Sequence, residues 1–130
     1  MKYGKTITVS LPFAEALPAV RAAFKAEGFG ILTEIDIQAT LKEKTGAELE
    51  PYVILGACNP QLAQAALEIE PEIGLLLPCN VVVRQSKGQV FVHALDPVVM
   101  VSIPGRTELQ GVADDAGARV GRALDALSPA

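Results

Sequence analysis

Residues 52–84 read YVILGACNPQLAQAALEIEPEIGLLLPCNVVVR, and the order of apolar runs and punctuation in this stretch decides the fold. Tyr52 to Ala57 is apolar at both parities, which predicts an interior strand covered on both faces. Asn59 then suits a helix N-cap. Pro60 suits the first turn, where a residue without an N–H leaves nothing unpaired. Leu62, Ala63, Ala66 and Leu67 form an apolar stripe at helical spacing, and Pro71 ends it. Asn80 to Gln85 predicts the next strand, returning through Ser86-Lys87-Gly88 into a hairpin partner at Gln89 to Leu95.

Reading outward toward the N-terminus, residues 3–11 alternate, with Ile7, Val9 and Leu11 on one side and Thr6, Thr8 and Ser10 on the other. That period of two predicts a strand with one face on the core. Phe13, Ala16, Leu17, Val20 and Phe24 recur at helical spacing, and Gly28 closes the helix as a C′ glycine. Phe29 to Ile37 predicts a second strand, with Ile31, Thr33, Ile35 and Ile37 facing one way and Leu32, Glu34 and Asp36 the other. Gln38 to Thr45 fits a short helix ended by Gly46. On the C-terminal side, Val98 to Ile103 fits either a short strand or a helical turn capped by Asp96. Thr107 and Gln110 have the spacing of a capping box ahead of a long final helix. The order β-α-β-α-β-α-β-β-α predicts one α+β domain over residues 1–130. Its sheet is largely antiparallel, with helices packed on one face.

Half of the 130 residues are hydrophobic, with four Phe, two Tyr and no Trp, so the expected core is aliphatic. The apolar run around Ile73 to Val83 is broken by Gly74, Pro78 and Asn80 and is too short to span a bilayer. A formal charge of −4 with no basic stripe argues against nucleic acid as a partner. The first residues lead straight into strand pattern without a signal-peptide core, and two thiols suit a reducing compartment. A cytoplasmic location is therefore expected, with no membrane partner.

The chemistry-bearing residues cluster at element ends. Cys58 would sit just before the helix capped by Asn59, near its unpaired N–H groups, a setting that favours thiolate chemistry. Cys79, flanked by Pro78 and Asn80, opens the next strand. If the two thiols meet they could act as a redox pair or as two soft ligands, and if buried they are small apolar side chains. Two Cys and one His fall short of a closed zinc site, and neither a metal nor a cofactor is expected. Glu34 and Asp36, at i and i+2 on a strand, share a face and could serve acid–base chemistry, or simply meet solvent. His93 lies between Phe91 and Leu95 on its strand. Arg84, on the partner strand, could supply an anion contact or be a strand-edge charge. Ala113, Gly117 and Gly121 line up small residues along the last helix, which would let another backbone come close, within the fold or at a subunit contact.

The stretches Tyr52 to Pro60 and Pro71 to Arg84, with Phe29 to Asp36 and Asp96-Pro97, resemble the domain of unknown function 302 family. The resemblance spans nearly the whole chain. It implies a β-α-β4-α core similar to the TATA-box-binding-protein fold, with the additional short helices as decoration, and it makes a homodimer plausible. It brings no reaction and therefore no catalytic assignment. The leading expectation is a homodimeric module binding a small molecule through Asn59, Asn80, Glu34 and Asp36. A thiol-dependent redox or transfer enzyme using Cys58 and Cys79 is the first alternative, and a purely structural or assembly role the second.

Overall fold

The computed structural model describes residues 2–128. Strand β1 (Gly4–Val9) leads into helix α1 (Phe13–Ala26), whose buried face is Ala16, Val20 and Phe24. Gly28 adopts φ +86°, donates to the Lys25 carbonyl at 3.0 Å, and lets Phe29 N–H reach back to the Phe24 carbonyl at 2.9 Å. This is a Schellman ending, and its apolar clasp is the edge-on contact of the Phe24 and Phe29 rings, 5.7 Å between centroids.

Strand β2 (Gly30–Asp36) runs into α2 (Ile37–Thr45), which Asp36 caps by accepting from Ala39 N–H at 2.9 Å and which Gly46 closes at φ +76°. Strand β3 (Tyr52–Cys58) and helix α3 (Pro60–Ile69) follow. The Asn59 side chain accepts from Leu62 N–H at 3.1 Å, as the Asn-Pro grammar requires. A 3₁₀ segment over Pro71–Leu76 separates α3 from β4 (Cys79–Ser86). Strand β5 (Gln89–Leu95) pairs with β4 across a two-residue turn, Lys87 and Gly88, both at positive φ. The segment after Asp96 resolves as a helical turn, α4 (Val99–Ser102), with the Asp96 carboxylate accepting from Val98 N–H at 3.0 Å.

The final helix α5 (Gln110–Leu127) differs from expectation at its start. No capping box forms: Thr107 to Leu109 is a 3₁₀ turn, and Gln110 donates forward to Asp114 instead of back to Thr107. The cause is just upstream. Arg106 is tied to Glu70 at 2.9 Å, to the Ile69 carbonyl at 3.2 Å and to Glu108. Leu109 is drawn fully into a small second core with Ala66, Ile73 and Met100. Tertiary anchoring there outweighs the local cap.

All strand pairs are antiparallel, in the order β1-β5-β4-β3-β2. With α2, α3 and the short turns set aside, the chain reads β-α-β4-α. One face of the sheet is buried, with Leu55, Val81, Val83 and Val92 packed against Val20 and Phe24 of α1 and Val120 and Leu124 of α5. The other face is open. Tyr52 and Ile54 of β3 are only half-buried there, so the interior strand expected to be covered on both faces is covered on one. Among the described residues, no helix is long and apolar enough to cross a membrane.

Two further corrections concern close approach. The β2–β3 register slips between Ile31 and Thr33: Ile31 lies opposite Ala57, yet Thr33 lies opposite Gly56. This bulge reverses the parity read from the sequence. Ile31 and Ile35 now face opposite ways, and Glu34 and Asp36 turn toward the helical layer. Along the small-residue ridge of α5, Ala113 is buried within the fold, whereas a Cβ at Gly117 or Gly121 would meet nothing of this chain within 4 Å. The position that does demand glycine is Gly56, where a Cβ would lie 2.2 Å from Thr33 Oγ1 and 2.8 Å from Pro78 Cγ. Gly56→Ala is therefore expected to lose about 1–3 kcal/mol, the range for overpacking a tight site. Gly117→Ala and Gly121→Ala are each expected to gain up to about 1 kcal/mol of helix propensity. Urea unfolding of the three variants checks both signs.

Candidate functional site

The hairpin register builds the site. Because Ser86 pairs with Gln89, Arg84 falls opposite Phe91 and Val82 opposite His93, while β1 places Thr6 on the other side of His93. These side chains share the open face. Arg84 Nε donates to His93 Nε2 at 2.9 Å, and His93 Nδ1 lies 2.8 Å from Thr6 Oγ1. A guanidinium only donates, so His93 Nε2 must accept. The ring is thus neutral with its proton on Nδ1, donated to Thr6. Burial, reinforced by the Arg84 charge, holds the His93 pKa below its ordinary 6.5 and keeps it in this state.

The Arg84 guanidinium also lies over the Phe91 ring, 4.7 Å from its centroid, and the Phe91 and His93 rings stack at 6.1 Å. Beside this row is a groove of about 910 Å³, lined by Lys2, Thr6, Tyr52, Val82, Arg84, His93 and Asp96. A hydrogen-bonded row with one apolar floor residue can orient a polar ligand without first rearranging.

The residues singled out in the sequence are distributed differently. Asp36 and Asn59 are helix caps, and Glu34 is ion-paired with Arg21 of α1. Asn59 Nδ2 also packs where a Gly28 Cβ would be, 2.8 Å away. Asn80 is exposed and lines a separate apolar groove with Leu75, Pro78 and Leu95. Cys58 and Cys79 do come together: Cys79 pairs with Ala57, and both cysteines line one cavity of about 20 Å³ with Asn59, Leu62 and Met100. That space holds about one water. Burial, with Cys58 nearby, pushes the Cys79 thiol up to about 11, so it stays protonated at neutral pH. Among the described residues, no three of His, Cys, Asp and Glu converge as metal ligands.

Comparison with known proteins agrees with this architecture. The family model described as "Domain of unknown function DUF302" matches residues 5–127. The chain belongs to the DUF302 family. A crystal structure of an uncharacterized conserved DUF302 protein from Bacillus stearothermophilus is 31% identical in sequence. It superposes with a TM-score of 0.90 over 98% of this chain and 99% of that one. A search of curated proteins found no match. Neither DUF302 description names an activity, so the functional reading of this DUF302 chain rests on its own geometry.

The Arg84–His93–Thr6 row is what reading the elements separately missed. Arg84 and His93 were each visible, but their alignment depends on the turn being two residues and not three. Two measurements follow from the site. In an NMR titration His93 is expected to protonate below pH 6.5, and Arg84→Gln to move its midpoint part of the way back up. The unfolded ring holds its proton to higher pH than the folded one. This group's stabilisation is therefore present above pH 6.5 and lost as pH falls. Iodoacetamide is expected to label half-exposed Cys58 in the native protein and to reach Cys79 only on unfolding, which peptide mass mapping reads directly.

Proposed function

We propose that this DUF302 protein is a small-ligand-binding module and that its site is the groove over the open sheet face. The observation that carries the reading is the fixed row Arg84–His93–Thr6 beside about 910 Å³ of accessible space. Small-molecule sites combine an apolar surface with a few polar groups held in place before the ligand arrives. Here Val82 supplies the apolar floor, while three adjacent strands hold the polar groups. The sheet contributes rigidity, and α1 and α5 bury its opposite face.

A thiol-dependent activity is the second reading, and the cavity shared by Cys58 and Cys79 favours it. The protonated state of Cys79 and the size of that cavity weigh against a substrate entering there. The homodimer and the cytoplasmic setting belong to the leading proposal as well. Leu75 and Ile103, 85% and 62% exposed, supply apolar surface for self-association.

Native mass spectrometry of protein purified without a metal-affinity tag tests the proposal. The wild type is expected to retain a small molecule, or to bind one from a metabolite screen. Val82→Trp, which fills the groove from its floor, is expected to lose it while keeping the fold. Equal binding by wild type and Val82→Trp would place the ligand elsewhere. The same spectrum counts subunits, with a dimer expected.

A further inference from the structure

We infer that the groove recognises an oxyanion, the phosphate or carboxylate group of a small metabolite, and that Arg84 is its docking group. The inference rests on the groove being the ligand site and names the class of ligand it takes.

Arg84 is used differently from the other arginines. Among the described residues, Arg21, Arg106, Arg119 and Arg122 are each paired with a carboxylate within 4.0 Å. Arg84 has none, in a chain where Asp and Glu outnumber Lys and Arg by 15 to 11. Its one hydrogen bond goes through Nε to a neutral imidazole, and its flat face rests on Phe91. Both contacts fix the plane of the guanidinium. Neither uses Nη1 or Nη2, the nitrogens that form a fork matched to two oxygens of a carboxylate or phosphate. A half-buried cation without a counter-charge is unfavourable in the empty protein, and an incoming anion relieves that cost.

The surroundings point the same way. Lys2 lines the groove with Arg84, against the single carboxylate of Asp96, which is itself engaged by Val98 N–H, while Lys5, paired with buried Ala94, sends its side chain to the other face of the sheet. Tyr3, just before β1, and Tyr52, on β3, also line it. With Arg84, these are the titratable and charged groups that line the groove around His93. An anion on Arg84 would offset the positive charge now acting on the ring. Binding and His93 protonation are thus linked, each favouring the other.

Sulfate is the probe, since its charge is constant across the titration, and acetate forms the planar-carboxylate arm. Chemical shifts of wild-type protein are followed against each anion, with sodium chloride at matched ionic strength as control. Saturable shifts centred on Arg84, His93 and Thr6 are expected, together with an upward move of the His93 midpoint. A preference for sulfate or for acetate tells phosphate-like from carboxylate ligands. Arg84→Gln is expected to abolish the saturable change. Arg84→Lys, which keeps the charge without the fork, should weaken binding about tenfold, the loss of one charge-assisted hydrogen bond.

Shifts no larger than those in chloride, or a His93 midpoint that neither anion moves, would overturn the assignment on wild-type protein alone, whatever the variants do. If both anions fail while a screened compound still separates wild type from Val82→Trp, the groove remains the ligand site and its ligand is not an oxyanion. If that separation fails too, both readings fall.

Discussion

Gly56 is the point on which this half of the molecule depends. A side chain there would collide with Thr33 from β2 and with Pro78 at the entry to β4. Three strands therefore approach one another around a residue that has no Cβ. On the β2 side, the approach coincides with the slip in register that turns Glu34 toward Arg21 and leaves Asp36 free to cap α2. On the β4 side, Pro78 delivers Cys79 opposite Ala57, and the alternation that follows puts Val81 and Val83 in the core and Val82 and Arg84 outside. The open-face site is thus tied by register to a packing constraint several residues away.

Much of the architecture is legible in short-range chemistry. Asn59-Pro60, Gly28 and Gly46 end and begin helices for reasons that involve only nearby backbone groups, and the structure uses each as expected. Apart from the length of the β4–β5 turn, the failures are tertiary. No local signal marks the bulge before Thr33, because it answers to Gly56 on another strand. Thr107 has a capping-box partner in sequence but loses it to the pull of Arg106 toward Glu70, 36 residues away. The glycines of α5 look like a packing ridge, yet they face open space. At the site itself, residue type was readable and alignment was not. Shortening the hairpin turn by one residue changes which side chain stands across from Arg84.

The two polar systems of the protein also differ in kind. Asn59, Asp36 and Glu34 satisfy nearby backbone groups or a neighbouring helix, and so complete the fold. Arg84, His93 and Thr6 satisfy one another across three strands on a face with no helix over it. None of the three belongs to the core cluster on the buried side of the sheet. They are placed by the fold without being needed to close it, and binding groups commonly have that relationship to their scaffold.

The bulge in β2 has a consequence for how copies of this chain behave in a crowded solution. As the last strand in the order, β2 presents an unpaired row of N–H and C=O groups, with Leu32 67% and Ile35 46% exposed beside it. An even, flat edge of that composition would be a template for strand addition and for aggregation. The slipped register breaks the spacing of the row, and Glu34 and Asp36 add charge along the same short strand. The irregularity that reverses the side-chain parity of β2 also guards that edge of the sheet against growth.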